Sequence, residues 1–294
     1  MMVAVATAGT PVRLRVMPLP ELLDETFRLY RRHFTVIAGV ALIIILPNLL
    51  LSLISGSYRA NPINYLQSVA QNINNPDELS RIQAQQQQYT SSPLYLLSFP
   101  IAALLLPFSI GALYRAATSL AAGNVETIGS VLMGTLRRYF ALWGLVILGV
   151  LVAIGFIGIV TIPVVIWVLI RWSVAFPALF AEGIGPVKAV GRSWNLVRDN
   201  WWRTLGILII VSIMVSLIQT ALGFLFGGVA AVVPGLNSDL RAGLITTLTT
   251  IVDALVGAIQ PIAITLLYLD LRVRKEGLDL DQLARQAAPG TAPA

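Results

Sequence analysis

The stretch Gly185–Ile210, GPVKAVGRSWNLVRDNWWRTLGILII, restricts what this chain can fold into more than any other. It begins as a basic amphipathic helix, passes three tryptophans and ends in a run too apolar for water. A chain that lies on a bilayer surface and then turns into it needs that order of residues. Less complete versions of the joint occur at Leu19–Ala41 and Thr127–Val150. The three joints predict three copies of one unit: a surface helix, a span across and a span back.

Composition supports the bilayer. Hydrophobic residues make up 56% of the 294 and charged ones only 12%, with a mean hydropathy of +0.80. Soluble domains carry about a quarter charged residues, so a soluble fold would need more polar surface than this chain has. The expected fold class is all-α, an integral membrane bundle of six transmembrane helices with cytoplasmic interfacial amphipathic helices. There is no cysteine, which removes disulfides, thiolate metal sites and thiol nucleophiles. The net charge of +6 lies beside apolar spans, where Lys and Arg meet anionic headgroups. The expected partners are therefore membrane lipids and not nucleic acid. Protein partners and oligomeric state are not written in the residues.

Residues 1–18 do not read as a secretory signal, because the apolar stretch is short and the arginines follow it. A flexible cytoplasmic leader is expected there, a membrane domain over 19–286 and a disordered tail over 287–294. Leu19–Arg32 reads as a helix, with Leu22, Leu23, Phe27 and Tyr30 on one side. Its acidic residues come early and its arginines late, in keeping with the helix dipole. Spans are expected at 34–54, 94–113, 140–160, 163–181, 205–226 and 244–269, each about one hydrocarbon thickness long. Between the first two, Gly56–Ser92 is amide-rich and nearly uncharged. It is expected to be an extracytoplasmic loop or a small irregular cap, with a partly helical stretch at Leu66–Ile73. A second surface helix is expected over Glu126–Tyr139, and a very short turn at Thr161-Ile162-Pro163.

Charge orients the bundle. Sixteen Lys and Arg flank the joints and the C-terminal end, against Arg59, Arg81 and Arg241 on the other side and Arg171 inside a span. That asymmetry places both termini in the cytoplasm. Aligning the joints on Phe34, Phe140 and Trp201 puts Arg31, Arg137 and Arg198 three residues earlier each time. An arginine one turn before the membrane keeps its guanidinium among phosphates while the aromatic ring sits in the headgroup region. Arg31, Phe34, Arg137, Phe140, Arg198, Trp201 and Trp202 are thus the expected lipid-facing residues. The returning spans also echo each other: Pro107, Tyr114 and Gly123 have the spacing of Pro261, Tyr268 and Gly277.

Ionisable groups inside spans are candidates for function. Arg171 and Asp253 are expected at similar depth, as an ion pair or in a shared polar pocket, serving either the bundle or a solute path. Gln260, Gln219 and Thr265 are expected to add a small polar patch, because Pro261 frees the carbonyl of Gly257. Catalysis finds little support. The one histidine, His33, stands at a membrane joint, and no carboxylate pair, metal-ligand spacing or Gly-rich phosphate loop is present. No catalytic residue, metal or cofactor is expected.

Three stretches carry a family resemblance: PELLDETFRLYRRHFTVI, PALFAEGIGPVKAVGRSWNLVRDNWWRTLG and LLYLDLRVRKEGLDLDQLA. Together they span about Leu19 to Ala284. They resemble the membrane domain associated with bacterial glycerophosphoryl diester phosphodiesterases and its freestanding six-span relatives. The resemblance implies a multi-pass protein of the bacterial plasma membrane, of unassigned biochemical role. The phosphodiesterase barrel is not expected, since there is no His-Arg-Gly stretch and only one histidine. The leading expectation is a non-enzymatic module that senses, scaffolds or perturbs lipid at the cytoplasmic leaflet. The alternative is a carrier of a small or lipid-like solute.

Overall fold

The computed structural model describes Val12 and residues 15–60, 65, 68–70, 72–155, 162–232, 234–235 and 237–277. Every regular element among them is helical. In chain order these are α1 (Leu19–Arg32), α2 (Phe34–Ser55), a 3-10 turn (Ser57–Ala60), α3 (Pro76–Thr90), α4 (Pro93–Ala121), α5 (Ile128–Leu136) and α6 (Tyr139–Gly155). Then follow α7 (Ile162–Trp172), α8 (Ala175–Glu182), α9 (Pro186–Val197), a second 3-10 turn (Arg198–Asn200), α10 (Trp201–Val232), α11 (Ser238–Gly257) and α12 (Ile259–Glu276).

Five stretches are long and apolar enough to cross a membrane: Phe34–Ser55, Pro93–Ala121, Pro163–Glu182, Pro186–Val229 and Leu240–Glu276. A sixth arises if α5 and α6, bent by 66° at their junction, are counted as one. The chain is an integral, multi-pass membrane protein. It divides into two compact units, one of Met1–Val40, Ile110–Ser216 and Gly257–Ala294, the other of Ala41–Ser109 and Leu217–Val256.

The first unit is built on α12. Twelve of its residues are buried, among them Ile262, Leu266, Leu267, Tyr268 and Leu271. α1 packs against it and buries Leu22, Thr26 and Leu29. A second core joins Leu142 and Leu145 of α6 to Ala175 and Leu179 of α8 and Ala189 of α9. The sequence predicts one helix across 163–181, yet the chain breaks at Ser173 and Val174. Breaking a helix in an apolar setting exposes backbone groups that lipid cannot satisfy. The buried hydroxyl of Ser193 on α9 meets this need twice, donating to the Arg171 carbonyl at 2.7 Å and accepting from the Val174 N–H at 3.2 Å.

The end of α8 is closed in a related way. Gly183 follows it at φ +70°, a conformation that favours glycine. The Arg138 guanidinium then donates to the carbonyls of Leu179, Gly183 and Ile184 at 3.1–3.3 Å. The span expected over 244–269 is also interrupted, at Ala258 between α11 and α12, where Pro261 has no N–H to give the Gly257 carbonyl.

The leader is docked where it is described: the Val12 N–H donates to the Ala121 carbonyl at 3.0 Å, and Met17 is 2% exposed. The second surface helix is shorter than 126–139, because Thr127 caps it reciprocally with Ser130 and it ends at Leu136.

In the second unit, the segment expected as a loop contains a four-turn helix. Asn75 accepts from the Glu78 N–H at its start, Pro76 takes the first position, and Asp77 and Glu78 fill the first turn, all favourable at a helix N-terminus. Residues 68–70 of the expected helical stretch are helical. The rest of 56–92 includes positions outside the described residues, as do most of the leader, residues 156–161 of the third span and its turn, and the tail from 278.

Candidate functional site

Several of the arginines that orient the bundle by charge hold specific partners in the first unit, among them Arg192, Arg203, Arg272 and Arg274. Asp270 is fully buried on α12. Its Oδ1 accepts from the Met17 N–H at 2.7 Å, while its Oδ2 accepts from Arg203 at 3.0 Å and Arg274 at 3.0 Å. Arg203 also donates to the Met17 carbonyl. A buried carboxylate is tolerable only when its lone pairs are filled in this manner. One side chain thus fastens the leader, α10 and the last turns of α12.

A second cluster surrounds Glu182 at the end of α8. Its Oε1 accepts from Arg192 at 2.7 Å and from the Tyr268 hydroxyl at 2.8 Å. Arg192 also pairs with Glu276, which accepts from Arg272 at 3.0 Å. Lys275 pairs with Asp199 at 2.8 Å. α8, α9 and α12 are therefore joined by charge.

Beside Tyr268 and Arg272 lies a cavity of about 500 Å³, lined also by Arg115, Ser119, Glu126 and Thr265. Glu126 accepts from Ser119 at 2.7 Å and from Ser130. Arg115 stands 3.8 Å from Glu126, beyond hydrogen-bond range, and its buried Nε has no partner among the described residues. Gly134 makes room for this guanidinium, since a Cβ there would lie 2.1 Å from Cζ.

The residues expected at the joints are placed as follows. Helix breaks fall at His33, at Arg137-Arg138 and at Arg198–Asn200. Arg31, Arg137 and Arg198 are exposed, and so are Phe34 at 49%, Phe140 at 88% and Trp202 at 79%. Trp201 differs from its aligned partners. It is half-buried, and its Nε1–H donates to the Trp167 carbonyl at 3.4 Å. At the first joint, burial and then the neighbouring Arg32 charge hold the His33 imidazole below its ordinary range.

Arg171 and Asp253 fall in different units and each is described in its own. Arg171 sits in the last turn of α7, beside the break. Its guanidinium lies 4.2 Å from the Trp167 ring centroid and 4.4 Å from that of Trp194, so its partners are aromatic faces in the first unit. Asp253 belongs to the second unit, where Gln219 donates to its backbone carbonyl at 3.3 Å. Gln260 lies in the first unit, and the Thr265 hydroxyl donates within its own helix to Pro261 at 2.8 Å.

Sequence reading missed Asp270, Glu182, Arg192, Arg203 and Ser193 as structural centres. The one available signal was an acid among apolar neighbours in LLYLDLRVRKE, four residues before Arg274.

A family model described as the membrane domain of glycerophosphoryl diester phosphodiesterase matches residues 140–287. No curated protein and no solved structure matches the chain.

Proposed function

The chain belongs to the family of membrane domains of glycerophosphoryl diester phosphodiesterase, and on that premise we propose that it is a non-catalytic module engaging anionic lipid at the cytoplasmic leaflet. The observation that carries this reading is the set of joints. At each of three helix breaks an exposed arginine stands within a few residues of an exposed aromatic ring: Arg31 with Phe34, Arg137 with Phe140, Arg198 with Trp202. An aromatic ring at headgroup depth and a guanidinium among phosphates are each favourable at a membrane interface.

The same reading puts both termini in the cytoplasm and the protein in a bacterial plasma membrane. It also treats the joints as a threefold repeat. The carrier alternative drew on Arg171 facing Asp253. With Arg171 stacked on two tryptophans, the lipid reading is the better supported of the two.

The test is native mass spectrometry of the chain released from nanodiscs of equal parts phosphatidylcholine and phosphatidylglycerol. The wild type should retain phosphatidylglycerol in excess. The triple variant R31Q/R137Q/R198Q should lose that preference while keeping the same thermal midpoint. Equal retention of the two lipids by the wild type would overturn the proposal.

A further inference from the structure

We propose that the cavity lined by Arg115 and Arg272 is a binding site for a phosphate ester, with the phosphate held between the two guanidinium groups. The cavity holds unused donors. Each guanidinium offers five N–H groups in a fixed fork. Arg115 makes no hydrogen bond among the described residues, and its Nε is buried. Arg272 uses Nε toward Glu276 and lies over the Tyr268 ring, which leaves both terminal nitrogens unbonded among the described residues. A guanidinium nitrogen buried without an acceptor is costly, and an incoming oxyanion removes that cost.

The cavity's other polar groups are already engaged. Ser119 donates to Glu126, Thr118 to the Tyr114 carbonyl, Thr265 to the Pro261 carbonyl and Tyr268 to Glu182. Glu126 is itself satisfied by two serine hydroxyls, so it does not claim Arg115 at hydrogen-bond range. Recognition is thus left to the two arginine forks.

Two forks select for shape. A carboxylate presents one pair of oxygens and satisfies one fork, whereas a tetrahedral phosphate presents several edges and can satisfy both. The volume, about 500 Å³, lies within the range of small-molecule sites, roughly 300–1,000 Å³, and exceeds what a bare ion needs. Its remaining walls include Val12, Ala121, Phe180 and Leu269, apolar surface suited to an organic substituent. The same chemistry is found on a lipid headgroup and on a soluble phosphate ester.

The site is separate from the joints and is tested separately. Equilibrium dialysis of the full chain in an uncharged detergent would use hexyl phosphate, with hexanoate as the carboxylate control. Native mass spectrometry from phosphatidylcholine nanodiscs containing phosphatidic acid would supply the lipid arm. Saturable binding of one equivalent is expected in at least one arm, and the arm in which it appears names the source. R115Q and R272Q should each weaken it about ten-fold or more, since a hydrogen bond to a charged group contributes roughly 1.5–3 kcal/mol.

Gly134→Ala keeps every charge but displaces the Arg115 guanidinium, and should also weaken binding. E126Q should strengthen it. These two variants keep the test decisive if the arginine variants fold poorly. R31Q/R137Q/R198Q should leave this site unchanged, so failure at the joints and failure here are distinguishable. No saturable binding in either arm, equal affinity for hexanoate, or indifference to Gly134→Ala and E126Q would each overturn the assignment.

Discussion

The two compact units are held together by different means. In the first, buried or half-buried carboxylates at Asp270, Glu182 and Glu276 each engage arginines from other helices or from a neighbouring turn. In the second, the ion pair between Arg81 and Glu78 is exposed and local. Its other polar contacts are mostly hydroxyl-to-carbonyl bonds within one helix, as at Thr247 and Thr249. Large apolar residues there stay uncovered, among them Leu50, Ile54, Leu97, Phe99 and Phe224. Lipid tails solvate such side chains as well as another helix would, so apolar contact alone fixes no arrangement in a bilayer. Specific geometry must come from polar groups that have nowhere else to turn. The first unit has them in number.

Removing the largest of these anchors should break the contrast. Asp270→Ala leaves Arg203 and Arg274 without their acceptor and Met17 without its own. It should cost about 3–5 kcal/mol, measured by denaturant unfolding in detergent. Leu225→Ala in the second unit should stay within about 0.5 kcal/mol, because that side chain is 59% exposed. Equal losses from the two changes would erase the distinction.

Ser193→Ala tests the repair of the broken helix. It strands one carbonyl and one N–H at the Ser173–Val174 break and should cost about 1–3 kcal/mol. Amide exchange at Val174 should rise with it. Gly183→Ala is expected to be milder, about 1–2 kcal/mol for placing a Cβ in the left-handed region, with Arg138 Nη2 only 3.2 Å from the new atom.

The smallest effect concerns pH. His33 titrates below the ordinary 6.5, so the unfolded chain binds the proton first as pH falls. Its contribution to stability is full above the unfolded value and declines as pH drops toward the folded one. The chain has one histidine, so a single imidazole resonance reports it. A midpoint at or above 6.5 in uncharged detergent would contradict the burial of that ring.

Local signals were legible. α1 and the start of α2 lie where helical spacing and the aromatic after His33 put them. Gly123 and Gly277 both have positive φ, at 81° and 63°, and Tyr114 and Tyr268, nine residues earlier, are both buried. Pro261 was legible as freeing the Gly257 carbonyl, but the break at Ala258, inside the span expected over 244–269, was not. The helix over Pro76–Thr90 was missed because its glutamines carry no apolar period, although Asn75-Pro76-Asp77-Glu78 spelled out a start.

The clusters were illegible for a different reason. Met17 and Asp270 are 253 residues apart, and Tyr268 and Glu182 are 86 apart. No periodicity or spacing links such partners, so a charge count read Arg203 and Arg274 as a topology signal and nothing more.

The clasp between Met17 and Asp270 also sets an order of events during synthesis. The amide at the front of the first helix must wait for a carboxylate made 253 residues later. At about 5–20 residues per second, that delay is roughly 10–50 s. Through that interval α1 has left the ribosome without the helix it is built to lie against, and its seat arrives only as translation nears its close.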